Sequence, residues 1–323
     1  LWAKQWEMEA IGLQEKIPRV SGDIKERAPA TWSKAEKVSD DKLKVVYLPN
    51  QKQYQMSVPW KQSQPNLKPN REMIKRRQDA VFKNLNRDHQ EKVREIFKGY
   101  MEKGYIRELK ANERYEQDSF YLPFFCVLNL NSDTTPIRIV WDCAAHAKDE
   151  SSLNDEIELT PNRLQDLFKV LLRMRRYQFV VTSDVSEMFL KIILDPADRK
   201  YHRFTFDGKD FEWQVILFGN LASPNGSQKV IQMNADENGE GLEEAVESVR
   251  NSCYMDDIAD SRESEEQALK LVNQIVELFD RCSMPNRKVY TNSDLICRSI
   301  NPDLLAKQIS FDENKNVVHD SGK

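Results

Sequence analysis

No run of apolar residues in this 323-residue chain is long enough to cross a bilayer. Cysteine is sparse. The five residues (Cys126, Cys143, Cys253, Cys282, Cys297) are scattered and form no C-x-x-C, so neither a zinc site nor a disulfide framework is indicated. That usage fits a reducing compartment. Histidine is sparser still: His89, His146, His202 and His319 form no ligand-spaced pair and read as surface or packing residues. The chain starts at Leu1, with neither the basic nor the apolar segment of a secretory signal after it. The expectation is a piece of a longer polypeptide, located in the cytoplasm.

What is present is enough for a folded protein. Hydrophobic residues make up 40% and aromatics 9%, which excludes general disorder and allows one large or two smaller domains. Net charge is −4, which taken whole speaks mildly against nucleic acid. Its distribution is uneven. Lys61 to Lys110 holds 14 basic and 7 acidic residues, and Arg163 to Arg176 holds 5 and 1. Asp236 to Glu266 reverses this, with 12 acidic and 2 basic residues. A basic front half could contact phosphates; solvated helix faces would give the same pattern.

Along the chain, residues 1–70 read as an extended, surface-hugging arm. Leu1 to Gly12 could form a short helix bearing Trp2 and Trp6, Leu43 to Leu48 offers a strand, and Pro59, Pro65 and Pro69 break regular structure. Arg71 to Met101 is helical in pattern, with Val93, Ile96, Phe97 and Tyr100 on one face. Phe120 to Leu128 and Ile137 to Asp142 read as a hairpin around an Asn129–Thr135 turn. Within it, Arg138 is the charged residue of an apolar strand, either a salt-bridge partner or a phosphate clamp. Thr160-Pro161-Asn162 opens a helix whose apolar face is Leu164, Leu167, Phe168 and Leu171. Asp207-Gly208 marks a hairpin, Ser223-Pro224 starts a helix, and Ala268, Val272, Ile275, Val276 and Phe279 make a buried helical stripe.

Two acidic positions carry the chemistry. Cys253-Tyr254-Met255-Asp256-Asp257-Ile258 reads as a tight hairpin with two carboxylates at its tip. Adjacent carboxylates repel unless a cation sits there, although Asp-Asp pairs are also common in solvated turns. About 70 residues upstream, the strand Tyr177 to Asp184 ends in another acid. The intervening order is βαββαβ, in which antiparallel central strands bring the first acid beside the pair. Carboxylates converging on two divalent ions suit in-line phosphoryl transfer, and hard oxygen ligands suit Mg²⁺.

Several stretches resemble a known family. Asp184-Val185-Ser186-Glu187-Met188-Phe189 is similar to polymerase motif A, Phe218 to Pro224 to motif B, and Tyr254-Met255-Asp256-Asp257 to the Y-x-D-D box of reverse transcriptases. The resemblance is to the pol polyprotein of BEL/Pao-type LTR retrotransposons. It also takes in Tyr121-Leu122-Pro123, Arg138 to Asp142, Ser152 to Asp155, Pro161 to Leu164, Leu171 to Arg175 and Arg287 to Asn292. It covers roughly residues 70–305. Pro136, Cys143-Ala144-Ala145 and Val289 depart from the family pattern.

The resemblance implies an α+β polymerase right hand. Its antiparallel palm has a βαββαβ core, its fingers are helical and β, and its thumb is largely missing. The implied boundaries are an arm at 1–70, fingers at 71–158 and 191–222, palm at 159–190 and 223–290, and the start of a thumb at 291–323. Asp184, Asp256 and Asp257 are the implied catalytic acids. Asp184, Asp256 and the Val185 carbonyl would hold two Mg²⁺ ions, with Asp257 in support and Mn²⁺ as a substitute. Arg138 would clamp the triphosphate, Phe218 and Gly219 would line the base and sugar pocket, and Lys288 would protonate pyrophosphate. Phe189 stands where RNA polymerases of this architecture place an Asp, so its ring would exclude a 2′-hydroxyl. Tyr254, Met255 and Arg287 would touch nucleic acid. Implied partners are a primed RNA or DNA template and dNTPs, with no membrane and with no protease, RNase H or integrase in this chain. The implied setting is a cytoplasmic virus-like particle. The alternatives are an RNA-dependent RNA polymerase, disfavoured by Phe189, an inactive or co-opted element that binds nucleic acid, and an unrelated interaction protein.

Overall fold

A computed structural model describes residues 33–113, 118–128, 137–306, 310–312 and 315–318. The Leu1–Gly12 helix, the Asn129–Thr135 turn, Pro136 and His319 lie outside the described residues. The chain is mixed α+β with antiparallel sheets and divides into two compact units. One takes residues up to 47, 54–162 and 192–226; the other takes 48–53, 163–191 and 227 onward.

The first unit opens with α1 (Lys34–Lys42), started by a reciprocal Ser33–Glu36 capping box. Strands β1 (Val45–Leu48) and β2 (Gln53–Met56) follow. The expected surface arm is not found here, because Leu43, Tyr54 and Met56 are wholly buried. Where one continuous helical stretch was expected, two helices form: α2 (Arg71–Lys83) and α3 (Arg87–Glu102). The break has a cause at Asn86, whose side chain accepts the amide of His89 and caps the second helix. Next come β3 (Ile106–Glu108) and the hairpin β4 (Phe124–Leu128) and β5 (Ile137–Trp141).

Residues 163–191 belong to the second unit and supply α4 (Leu167–Met174) and β6 (Phe179–Val185). The helix starts at its Asp166 cap rather than at Pro161. Its expected apolar face is open: Leu167, Phe168, Leu171 and Leu172 are exposed and Val170 is buried.

Back in the first unit, β7 (Ile193–Leu194) pairs in parallel with β2, which is what draws Tyr54 and Met56 inward. Strands β8 (Arg203–Phe206) and β9 (Lys209–Trp213) form the Asp207-Gly208 hairpin, and β3 joins its edge. Phe97, Phe124, Trp141, Phe204, Phe206 and Trp213 interlock as this unit's aromatic core, with neighbouring rings 4.3 Å to 6.4 Å apart. Each such buried ring contributes about 2–3 kcal/mol.

The chain then runs through α5 (Ser223–Asn238), α6 (Glu243–Ser252), β10 (Cys253–Tyr254), β11 (Asp257–Arg262), α7 (Glu265–Asp280), β12 (Asn286–Thr291) and α8 (Asp294–Ser299). In the second unit the strands order as β10-β11-β6-β12, all antiparallel. Taken along the chain this is the expected βαββαβ, with α6 as an extra helix before β10. Ala268 and Val272 of α7 pack with Val181, Val289, Ile296 and Ile300 behind the sheet. A last hairpin pairs β13 (Ser310–Asp312) with β14 (Lys315–Val318).

Candidate active site

Alternation along β6 decides which way its acid points. Val181, Ser183 and Val185 are buried, which turns Thr182 and Asp184 to the opposite face. The register then sets Asp184 between two neighbours, with Asp257 of β11 opposite it on one side and Arg287 of β12 on the other. The acid and the first residue of the acid pair, 72 positions apart in sequence, are brought together by this register.

The Asp256 turn is held from two sides. Met255 adopts φ +56°, a conformation that costs an L-residue about 1 kcal/mol. Its carbonyl accepts Gln228 Nε2 from α5 at 2.7 Å, and the Asp256 carbonyl accepts the Val185 amide at 2.8 Å. Cys253 pairs with Ile258, and Tyr254 with Asp257, closing the hairpin. Gln228 is a residue that the sequence reading missed. A buried amide on a core helix must find partners, but its partner lies 27 positions away.

The electrostatics reflect crowding of like charge. The Asp257 carboxyl, although exposed at the hairpin tip, is pushed up to about 6, first by partial desolvation, then by Asp256 and Asp184, with Lys288 opposing. The neighbouring Cys253 thiol is pushed up to about 12, first by burial and then by Asp256 and Asp257. Lys288, in a left-handed conformation at a break in the β12 register, places Nζ 3.2 Å from Asp184 Oδ2. Among the described residues, no three His, Cys, Asp or Glu side chains stand gathered as a metal-holding group. The donor chemistry does fit a hard divalent ion, since carboxylate oxygens crowd here strongly enough to raise Asp257.

Residues 135–287 match the family model of reverse transcriptase (RNA-dependent DNA polymerase). The reverse transcriptase match takes in all three acids, Arg138, Phe189, Phe218, Gly219 and Arg287, and ends one residue before Lys288. Among solved structures, the chain is similar to the foamy viral protease-reverse transcriptase in complex with RNA/DNA hybrid. Identity there is 18% and the TM-score 0.46, over 62% of this chain and 23% of that one. A Prototype Foamy Virus protease-reverse transcriptase mutant gives 17% identity and a TM-score of 0.47, over 62% and 23%. The chain thus spans under a third of the length of either structure. No curated protein matches it.

Phe189 belongs to the same unit as the acids and lies in the short 3₁₀ turn Met188–Lys191, with its ring nearly buried. The remaining expected site residues lie in the first unit. Arg138 sits on the exposed face of the β4–β5 hairpin, opposite Val127. Phe218 is about half exposed, at 53%. Gly219 has φ +94°, and a Cβ there would meet the Trp141 carbonyl oxygen at 2.5 Å, so the position admits glycine alone.

Proposed function

We propose that the chain is the fingers and palm of a reverse transcriptase from a BEL/Pao-type retrotransposon, adding dNTPs to a primer 3′-hydroxyl on an RNA or DNA template. The observation that carries this reading is the pairing of Asp184 with Asp257 across β6 and β11, inside the reverse transcriptase match. Asp184, Asp256 and the Val185 carbonyl would hold two Mg²⁺ ions, with Asp257 adding negative charge beside them. Such ions would supply activation of the primer hydroxyl and charge stabilisation for the departing pyrophosphate.

The chain's own residues do the rest. Lys288, already beside Asp184, supplies a proton to the pyrophosphate side. Arg138 takes the triphosphate with its guanidinium fork, and Phe218 and Gly219 receive base and sugar. Phe189 rejects the 2′-hydroxyl by bulk. Tyr254, Met255 and Arg287 meet the primer–template. The setting is a cytoplasmic virus-like particle, with protease, RNase H and integrase supplied elsewhere in the polyprotein.

Primer extension on poly-rA with Mg²⁺ tests this, comparing the wild type with Asp256→Asn. The expected result is dTTP incorporation by the wild type and its near-complete loss in the variant. Equal incorporation by both would overturn the assignment.

A further inference from the structure

The Phe218–Gly219 loop is gripped by side chains that no part of the mechanism above uses. Asn154 makes two bonds to its backbone: Nδ2 donates to the Gly219 carbonyl at 3.0 Å, and Oδ1 accepts the Leu221 amide at 3.0 Å. These bracket Asn220 as a neighbouring strand would. Asn220 itself turns inward and is buried. Its Oδ1 accepts the Ala222 amide at 2.8 Å, and its Nδ2 lies 2.9 Å from His202 Nε2.

An amide NH₂ only donates, so Nε2 is the bare nitrogen of the imidazole. The proton is then on Nδ1, which donates to the Asp198 carbonyl at 2.9 Å. His202 is wholly buried, and the Asp198 carboxylate faces away from it, accepting the Val58 amide and Trp60 Nε1 at 2.7 Å each. Ser223 Oγ closes the loop's base on the Leu217 carbonyl at 2.8 Å. The outcome is a loop fixed from beneath, with the Phe218 ring left about half exposed above it.

We infer that Asn154 and His202 are positioning residues for nucleotide selection. Asn154 sets the backbone on both sides of Asn220, and His202 locks the Asn220 amide, so that Phe218 and Gly219 are presented in one geometry. This rests on the reading of that loop as part of the dNTP pocket. Both residues bond to the loop itself, Asn154 to its backbone and His202 to the Asn220 amide, so their effect falls on binding rather than on the chemical step.

The test uses the whole chain with Asn154→Ala, His202→Ala and His202→Gln, whose amide oxygen can still accept from Asn220. In primer extension the two alanine variants should raise the KM for dTTP about tenfold, with kcat changed less than about twofold. Hydrogen exchange at residues 219–222 should accelerate in both. His202→Gln should restore both readouts toward the wild type, which a merely structural loss of packing would not do. No incorporation by the wild type would overturn the polymerase reading. Incorporation with unchanged KM and unchanged exchange in both alanine variants would overturn the positioning role alone. So would a kcat that falls in proportion to the folded protein lost while KM stays unchanged.

Discussion

Gln228 donates its side-chain amide to the carbonyl of Met255, 2.7 Å away, and so ties a core helix to the residue before Asp256. Met255 is in the left-handed region, and this bond helps to keep it there. Gln228→Met keeps the length and removes the donor. The expected cost is about 1 kcal/mol, because the half-buried carbonyl loses its amide donor and keeps only the Cys253 thiol at 3.6 Å. Incorporation should fall by more than stability explains, because the acid turn loosens. Thermal unfolding and steady-state extension on one preparation compare the two losses.

The crowded acids should destabilise the metal-free chain. Asp256→Asn removes one of the charges that push Asp257 upward. In EDTA the variant should be more stable than the wild type by about 0.5–2 kcal/mol, the usual signature of a site kept for function. Adding Mn²⁺ at a hundred times its dissociation constant should then stabilise the wild type by about 2.7 kcal/mol and the variant far less. Melting curves with and without the ion measure both effects. A variant stabilised by Mn²⁺ as strongly as the wild type would remove Asp256 from the ligand set.

Acid should weaken the fold through His202. Burial lowers its pKa from 6.5 to about 4, with the Asp198 carbonyl opposing. Between those values the unfolded chain takes up a proton that the folded chain refuses. Stability is therefore fully present above pH 6.5 and is lost as pH falls toward 4, by at most about 3 kcal/mol. Denaturant midpoints across that window should slope in the wild type and flatten in His202→Gln.

Phe189 offers a test of sugar choice. Phe189→Val should raise the efficiency of ribonucleotide use by about tenfold or more while deoxynucleotide use persists. Competition between dTTP and UTP on poly-rA reads this directly. Unchanged discrimination with intact dTTP use would end the gating role.

The acids were legible because local rules carry them: an alternating strand ends at Asp184, and two short strands bracket Asp256-Asp257. Once the strand order was read as βαββαβ, their meeting followed. The supports were not legible, since their partners are remote. Asn154 bonds a loop 65 residues on, and Gln228 a turn 27 residues on. Residues 43–58 passed for an arm because Met56 is drawn inward by Leu194, far along the chain and in parallel. Periodicity also misled at α4, where it gave an apolar face correctly but could not say whether anything covers Phe168, which is 68% exposed. At Asn86 the helix-starting residue was present, but the apolar face that marked the helix, Val93 to Tyr100, lies beyond it and did not register the break.

The pairing of Asp257 with Asp184 has a genetic consequence. Side chains alternate across a strand, so losing one residue from the Met255-Asp256 turn would point every β11 side chain to the wrong face of the sheet. A single in-frame codon deletion there should be as complete a null allele as the loss of an aspartate.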